Sequence, residues 1–296
     1  MKKLLNQLED ESISFIRDTY ADSVNPLVLY SIGKDSSVLL HLFRKAFYPA
    51  RIPVPFLHID TGWKFKEMIK FRDKMFKNYK LNGIVHTNRE GAAKNINPFD
   101  HPKYTDIMKT EALREKLSEN NYDFVYGGAR RDEEQSRSKE KVVSFRDKNN
   151  RWNPKNQRIE PWYLFNTIKN PYESFRVFPL SNWTELNIWE YINSQSIEVV
   201  PLYFAKLRKV VLSDNQYFLL DDKRYRLKKG DKILEEKIRF RTLGCYPLTA
   251  GIKSNATSVT QIINELKNTK FSERNGRLID IDKLGSMEIK KREGYF

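Results

Sequence analysis

Residues 31–37, Ser-Ile-Gly-Lys-Asp-Ser-Ser, form a knot of hydroxyls, one glycine, one lysine and one carboxylate between an apolar run and a stretch of helical spacing. Ser31, Gly33, Ser36 and Ser37 offer hydroxyls and a residue small enough for main-chain N–H groups to approach a diphosphate, and Lys34 adds a positive charge. A strand followed at once by a helix places that knot where free N–H groups and the helix dipole attract anions. It is not a nucleotide-triphosphatase loop, which needs a glycine five residues before Gly-Lys and a Ser or Thr after it. Val28 and Asp35 stand at those positions. Asp35 would repel phosphate unless it caps the helix or meets a cation, and Mg²⁺ would resolve the conflict.

Two further groups could complete a site. Asp60 and Thr61 end a second apolar run, where a carboxylate could hold Mg²⁺ or ribose and a hydroxyl could donate; the alternative is that Asp60 caps the next helix. Gly127 and Gly128 allow close approach and are followed by Arg130 and Arg131, guanidiniums able to grip a tetrahedral oxyanion. Asp132, Glu133 and Glu134 could instead pair with those arginines. The four histidines have no HExxH spacing and Cys245 stands alone, so a zinc site, an iron–sulfur site and an internal disulfide are not expected. His58 reads as packed or adenosine-facing, and Cys245 as structural.

These residues need a frame, and the apolar pattern supplies one. Runs at 26–31, 54–60, 83–88, 122–128 and 174–180 alternate with helical stretches at 36–47, 63–79 and 104–119, with Thr184 as the N-cap signal of another helix. The expectation is an α/β fold with a mainly parallel five-stranded sheet and helices on both faces. Residues 145–171 are polar and broken by prolines, and read as a long excursion outside the sheet. Past Pro201 the runs shorten around "SDNQ" and "KKGD", which predicts a small β-hairpin appendage. Residues 1–200 are read as a nucleotide-binding domain and 201–296 as a C-terminal extension with a basic tail packed on it.

With 296 residues, 40% of them hydrophobic, the chain can bury a sizeable core, and its net charge of +15 favours anionic partners without choosing among them. No run is long and apolar enough for a membrane span, and the first residues read as an amphipathic helix rather than a signal core. A cytoplasmic location is expected, without membrane association.

"SIGKDS" resembles the pyrophosphate (PP) loop of the ATP pyrophosphatase superfamily, whose members cleave ATP between its α and β phosphates. Together with "HIDTGWKFKEM", "GGARRDEEQSR", "INPFDH", "FPLSNWTELNIWEYI", "FRTLGCYPLT" and "GSMEIKKREGYF", it makes essentially the whole chain similar to the small, catalytic subunits of bacterial sulfate adenylyltransferases, relatives of the phosphoadenylyl sulfate reductases. The resemblance implies an adenine nucleotide alpha hydrolase-like fold, ATP and Mg²⁺ as cofactors, sulfate as substrate and a large GTPase subunit as partner. It implies catalytic roles for Lys34, Asp35, Ser36, Arg130 and Arg131, with Arg130 and Arg131 on sulfate. It implies nucleotide contacts at Ser31, Gly33, Ser36, Ser37, Asp60, Thr61, Gly127 and Gly128, and a metal at Asp35 and Asp60. Residues 205–235 and the tail from Phe271 become candidate docking surfaces, the tail alternatively a lid. A reductase would carry a C-terminal Glu-Cys-Gly-Leu-His segment and a tRNA-thiolating enzyme paired cysteines, and this chain has neither. A nucleic-acid-binding or regulatory module on the same scaffold is the remaining alternative, although no nucleic acid partner is expected.

Overall fold

A computed structural model of the chain describes residues 2–133 and 135–268. The basic tail from Phe271, and the lid or docking role read into it, lie outside the described residues. A first sheet holds β1 (Pro26–Leu29), β2 (Phe56–Ile59), β3 (Gly83–His86), β4 (Phe124–Tyr126), β5 (Val143–Arg146) and β6 (Ser174–Val177), in the order β3-β2-β1-β4-β6-β5. All five expected runs form strands, and all five run parallel. The sixth, β5, is antiparallel to β6 at the edge, pairing Phe145 with Phe175. Its sequence hid it: Ser144 and Arg146 are fully buried, and Arg146 reaches Glu140 at 2.6 Å, so the strand lacks the apolar look of a buried run. The excursion therefore begins after Arg146 rather than at Phe145.

The helices are α1 (Lys2–Ala21), α2 (Lys34–Phe47), α3 (Lys66–Asn78), α4 (Arg89–Ala93), α5 (Ala112–Glu119), α6 (Gln135–Ser138), α7 (Glu185–Gln195) and α8 (Val259–Lys267). Strands buried on both faces must be apolar throughout. Leu27, Leu57 and Val125 pack with Leu113 and Leu117 of α5 on one face, while Val28, Phe56 and Tyr126 join the core shared with α1, α2 and α7 on the other. Residues Asp106–Glu111 form a π-helical segment that runs into α5, so the expected helix at 104–119 is wound in two ways. Thr184 caps α7 in a reciprocal capping box with Asn187.

The expected hairpin is present, with Asp214 and Asn215 both at positive φ, as a two-residue type I′ connection requires. It grows into a four-stranded antiparallel sheet of β7 (Lys206–Ser213), β8 (Gln216–Leu219), β9 (Lys232–Arg239) and β10 (Ile252–Lys253), in the order β10-β9-β7-β8. Val210, Leu219, Ile238, Phe240 and Tyr246 enter the same buried core as the first sheet. Residues 205–246 thus share one core with the first sheet.

The strand order reverses beside β1: the chain steps outward to β2 and β3, then returns to lay β4 on the other side of β1. A crevice opens at such a switch point, beyond the carboxyl ends of the strands. The β1–α2 knot and the Gly127–Arg130 segment after β4 both meet there.

Candidate active site

The knot is braced from within. Gly33 is the N-cap of α2, and its carbonyl accepts from the hydroxyls of Ser36 at 2.9 Å and Ser37 at 3.1 Å. These two serines are buried, so their hydroxyls tighten the turn, as does the Ser37 N–H, which donates to the Gly33 carbonyl. Ile32 sits at φ 69°, a left-handed conformation that a β-branched residue adopts only under constraint. Ser31, by contrast, is exposed at the mouth.

Charge is balanced around Asp35. Its carboxylate accepts from Arg130 Nε at 2.7 Å and lies 3.2 Å from Lys34 Nζ, with Arg130 at 1% and Lys34 at 2% exposure. Arg130 also reaches Asp132, whose carboxylate accepts the Glu185 N–H at the start of α7, and Glu185 pairs with Arg241 at 2.7 Å. A chain of charges thus ties the knot to α7 and to the segment after β9. Gly128 closes the crevice: a Cβ there would lie 3.2 Å from the Asp35 carbonyl carbon and 3.3 Å from the Ser36 nitrogen. Gly127 continues the sheet, its N–H donating to Val177.

Arg131 departs from its expected role beside Arg130. Its Nη1 donates to Asn182 at 2.7 Å and its Nε to the Glu140 carbonyl, so the two guanidiniums do not act as a pair. Of the acidic residues that could pair with those arginines, Asp132 reaches Arg130, Glu133 pairs with Arg137, and Glu134 lies outside the described residues.

The β2–α3 loop borders the crevice on the other side. Asp60 accepts from the Gly62 N–H at 2.9 Å and stands 3.5 Å from Arg72 Nη1. Thr61 is wholly buried, with its hydroxyl 3.6 Å from Cys245 Sγ and its carbonyl accepting from Tyr104, so its side chain points inward rather than toward a ligand. Burial alone would raise the Cys245 thiol, but the charges of Lys64 and Lys109, with hydrogen bonds from Thr61 and Tyr104, carry it below its ordinary value. His58 is buried with Nδ1 on the Tyr30 carbonyl; desolvation, and then Lys64, depress it to about 3, so it stays neutral and packed.

Partners from the far C-terminal half complete the site, and sequence reasoning missed them. The Tyr203 hydroxyl accepts from the Lys34 N–H at 2.8 Å, and the Tyr203 ring packs on Trp189. Residues 220–231, between β8 and β9, form a strap over the β2–α3 loop. Arg224 lies 4.1 Å above Trp63 and donates to the Gly62 carbonyl, Lys66 donates to the Asp221 carbonyl, and Arg226 pairs with Asp100. No motif marks these residues; only "PLY" after α7 hints at a turn. Among the described residues no group of three or more metal-ligating side chains gathers, and no helix is long and apolar enough to cross a membrane.

Comparison with known proteins places this geometry. Residues 25–251 match the phosphoadenosine phosphosulfate reductase domain. Sulfate adenylyltransferase subunit 2 of Shewanella sp. (strain W3-18-1) is 59% identical over 294 residues, covering 99% of this chain and 97% of that protein. The protein of the same name from Shewanella sp. (strain ANA-3) is 58% identical over the same shares. Among solved structures, FMN adenylyltransferase of Candida glabrata in complex with ATP superposes with a TM-score of 0.53 at 15% identity, over 93% of this chain and 88% of that one, a likeness of fold. The chain belongs to the phosphoadenosine phosphosulfate reductase domain family and, within it, to the sulfate adenylyltransferase subunit 2 family.

Proposed function

We propose that the chain transfers the adenylyl group of ATP to sulfate, releasing pyrophosphate and forming adenylyl sulfate. The observation that carries this reading is 59% identity across nearly the full length of both chains. A sulfate oxygen attacks the α-phosphorus, a new S–O–P linkage forms and the bond to the β-phosphate oxygen breaks. Sulfate is already deprotonated, so no general base is needed, and catalysis rests on positioning and charge stabilisation.

Of the first-turn N–H groups of α2, those of Asp35 and Ser36, with exposed Ser31, are proposed to receive the pyrophosphate as its charge grows, since Lys34 N–H donates to Tyr203 and Ser37 N–H to Gly33, whose carbonyl also takes the Ser36 and Ser37 hydroxyls. Lys34 and Arg130 hold Asp35, and Arg130, which follows Gly127 and Gly128 at the end of β4, is assigned to sulfate and the α-phosphate. Asp60 faces the ribose side. Arg131 is given a structural role.

Magnesium is proposed to arrive with ATP, held by the phosphates. Asp35 and Asp60 are hard oxygen donors, but Lys34, Arg130 and Arg72 already offset them, so these residues do not fit a resident ion, and no step is derived through one. The location proposed is the cytoplasm, where ATP is available.

The partner proposed is a large GTP-hydrolysing subunit. A phosphate–sulfate anhydride lies uphill of ATP and sulfate, and moving a balance from 1:99 to 99:1 takes about 5.5 kcal/mol, which a second nucleotide hydrolysis can supply. The test is sulfate-dependent exchange of labelled pyrophosphate into ATP, followed by product yield with the partner and GTP or a non-hydrolysable analogue. No exchange under any condition overturns the transferase reading. Full yield from the isolated chain, unaffected by GTP, overturns the coupling.

A further inference from the structure

The sequence offered residues 205–235 and the tail from Phe271 as candidate docking surfaces; within the first, the strap at 220–231 packs on the β2–α3 loop, and the second lies outside the described residues. A different surface is set up for docking. Of the 13 large hydrophobic residues exposed among the described residues, six fall within residues 159–172, between β5 and β6. Trp162 is 89% exposed and Ile168 79%, with Ile159, Leu164 and Tyr172 similarly open. Exposed apolar side chains in one cluster mark interaction sites, whereas scattered ones do not.

The segment is held firmly while it shows these residues. Glu160 accepts from the N–H groups of Val142 and Val143, the Tyr163 and Phe165 rings pack on Phe15 of α1, and Thr167 and Lys169 bind Asp22 and Asp123. Phe165 thus turns inward and Trp162 and Leu164 outward, with Tyr163, 41% exposed, resting one side of its ring on Phe15. Trp162, Tyr163 and Tyr172 all sit at positive φ, a conformation that non-glycine residues keep only when their surroundings impose it. A loop with no further contact would shed such strain and carry polar residues.

We propose that residues 159–172 are the seat of the partner subunit, with Trp162 as the central anchor. The inference rests on the partner reading above, and on the name subunit 2 that the relatives bear. Two open aromatics, of about 150–250 Å² each, with three aliphatics approach the roughly 800 Å² that one side of a specific interface buries. Residues 148–172 contain five basic residues and one acidic residue, Glu160, which the main chain of β5 already occupies. The partner face is therefore an apolar pocket with an acidic rim.

The experiment measures the dissociation constant between the full chain and the purified GTP-hydrolysing subunit for wild type, Trp162→Glu, Ile168→Glu and a control, Leu207→Glu, which alters a 62% exposed residue on β7. All three substituted sites are solvent-facing, and thermal melts verify that the variants fold. The expected result is at least 100-fold weaker binding for Trp162→Glu, a smaller loss for Ile168→Glu and less than threefold for Leu207→Glu. Wild-type affinity in Trp162→Glu overturns this surface while leaving the partner reading intact. If wild type itself binds no such subunit, both fall. Light scattering that shows a dimer of this chain broken by Trp162→Glu, or single-stranded oligonucleotide binding lost in that variant, assigns the patch to another occupant and overturns the proposal.

Discussion

The loops after β1 and β2 stand side by side at the crevice and are held by different means. The β1–α2 turn is braced largely by its own residues, through Ser36 and Ser37 on the Gly33 carbonyl, and by the Gly128–Arg130 segment of the adjacent strand. The β2–α3 loop depends on Tyr104, Arg224, Cys245 and Tyr246, which approach from up to 184 positions away, and the N–H of Tyr246 donates to the Trp63 carbonyl. One loop has a local brace of its own, to which Arg130 and Tyr203 add from 95 and 169 positions away, while the other is held mainly by distant partners. Substitutions in the first should strike activity directly, and those in the second should act by degrees.

The sharpest test of the first loop is Asp35→Ala. Transfer activity should fall by about 10²–10³, as when a preorganised charge-stabilising group is lost. Asp35 also offsets the buried Arg130, which would keep Asp132 at 3.4 Å, so losing the charged hydrogen bond should cost roughly 2 kcal/mol. Activity and denaturation midpoint should therefore drop together. A variant with wild-type stability would show that Arg130 finds another partner and that the pair does not brace the turn.

The two glycines separate the loops next. Gly128→Ala places a methyl 3.2 Å from the Asp35 carbonyl carbon, and main chain yields little, so about tenfold loss of activity and 1–2 kcal/mol of stability are expected. Gly62 has open space but φ 72°, so Gly62→Ala should cost about 1 kcal/mol through conformation alone and leave kcat nearly intact. Equal effects on kcat would erase the distinction between the loops. Arg224→Ala comes below both: losing the stack on Trp63 should cost up to about 1 kcal/mol and raise KM for ATP a few-fold with kcat held.

The same division explains what could be read from the sequence. Ser31–Ser37 was legible as a strand-to-helix turn because small and hydroxyl residues at fixed spacing brace it from within, Ser36 and Ser37 on the Gly33 carbonyl. The five parallel strands were legible because double-sided burial demands apolar runs. β5 was not, since Ser144 and Arg146 are buried through polar partners, Arg146 on Glu140. Arg131 shares its motif with Arg130 yet turns to Asn182, because adjacent residues after a strand point to opposite sides. Tyr203 and Arg224 carry no spacing signal, and Cys245, although it stands in the "FRTLGCYPLT" stretch, read only as structural, since only the folded second sheet brings them to the first.

The smallest effect is expected at Cys245, a buried partner of the second loop. Nothing in the proposed transfer uses a thiolate, so Cys245→Ser should keep activity within about twofold, and alkylation of the native protein should be slow because the thiol is 3% exposed. Its folded value lies below the ordinary 9.0, held there by Lys64 and Lys109 against the opposing pull of burial. The unfolded chain therefore binds more protons across that window, and stability from the thiolate is full above about 9 and lost as pH falls through the lowered value. Wild type should gain on Cys245→Ser as pH rises toward 9, measured as the difference in urea midpoint. A difference that stays flat with pH would mean that Lys64 and Lys109 do not act on the thiol. A large loss of transfer in Cys245→Ser would instead move this cysteine from the wall of the β2–α3 loop into the chemistry.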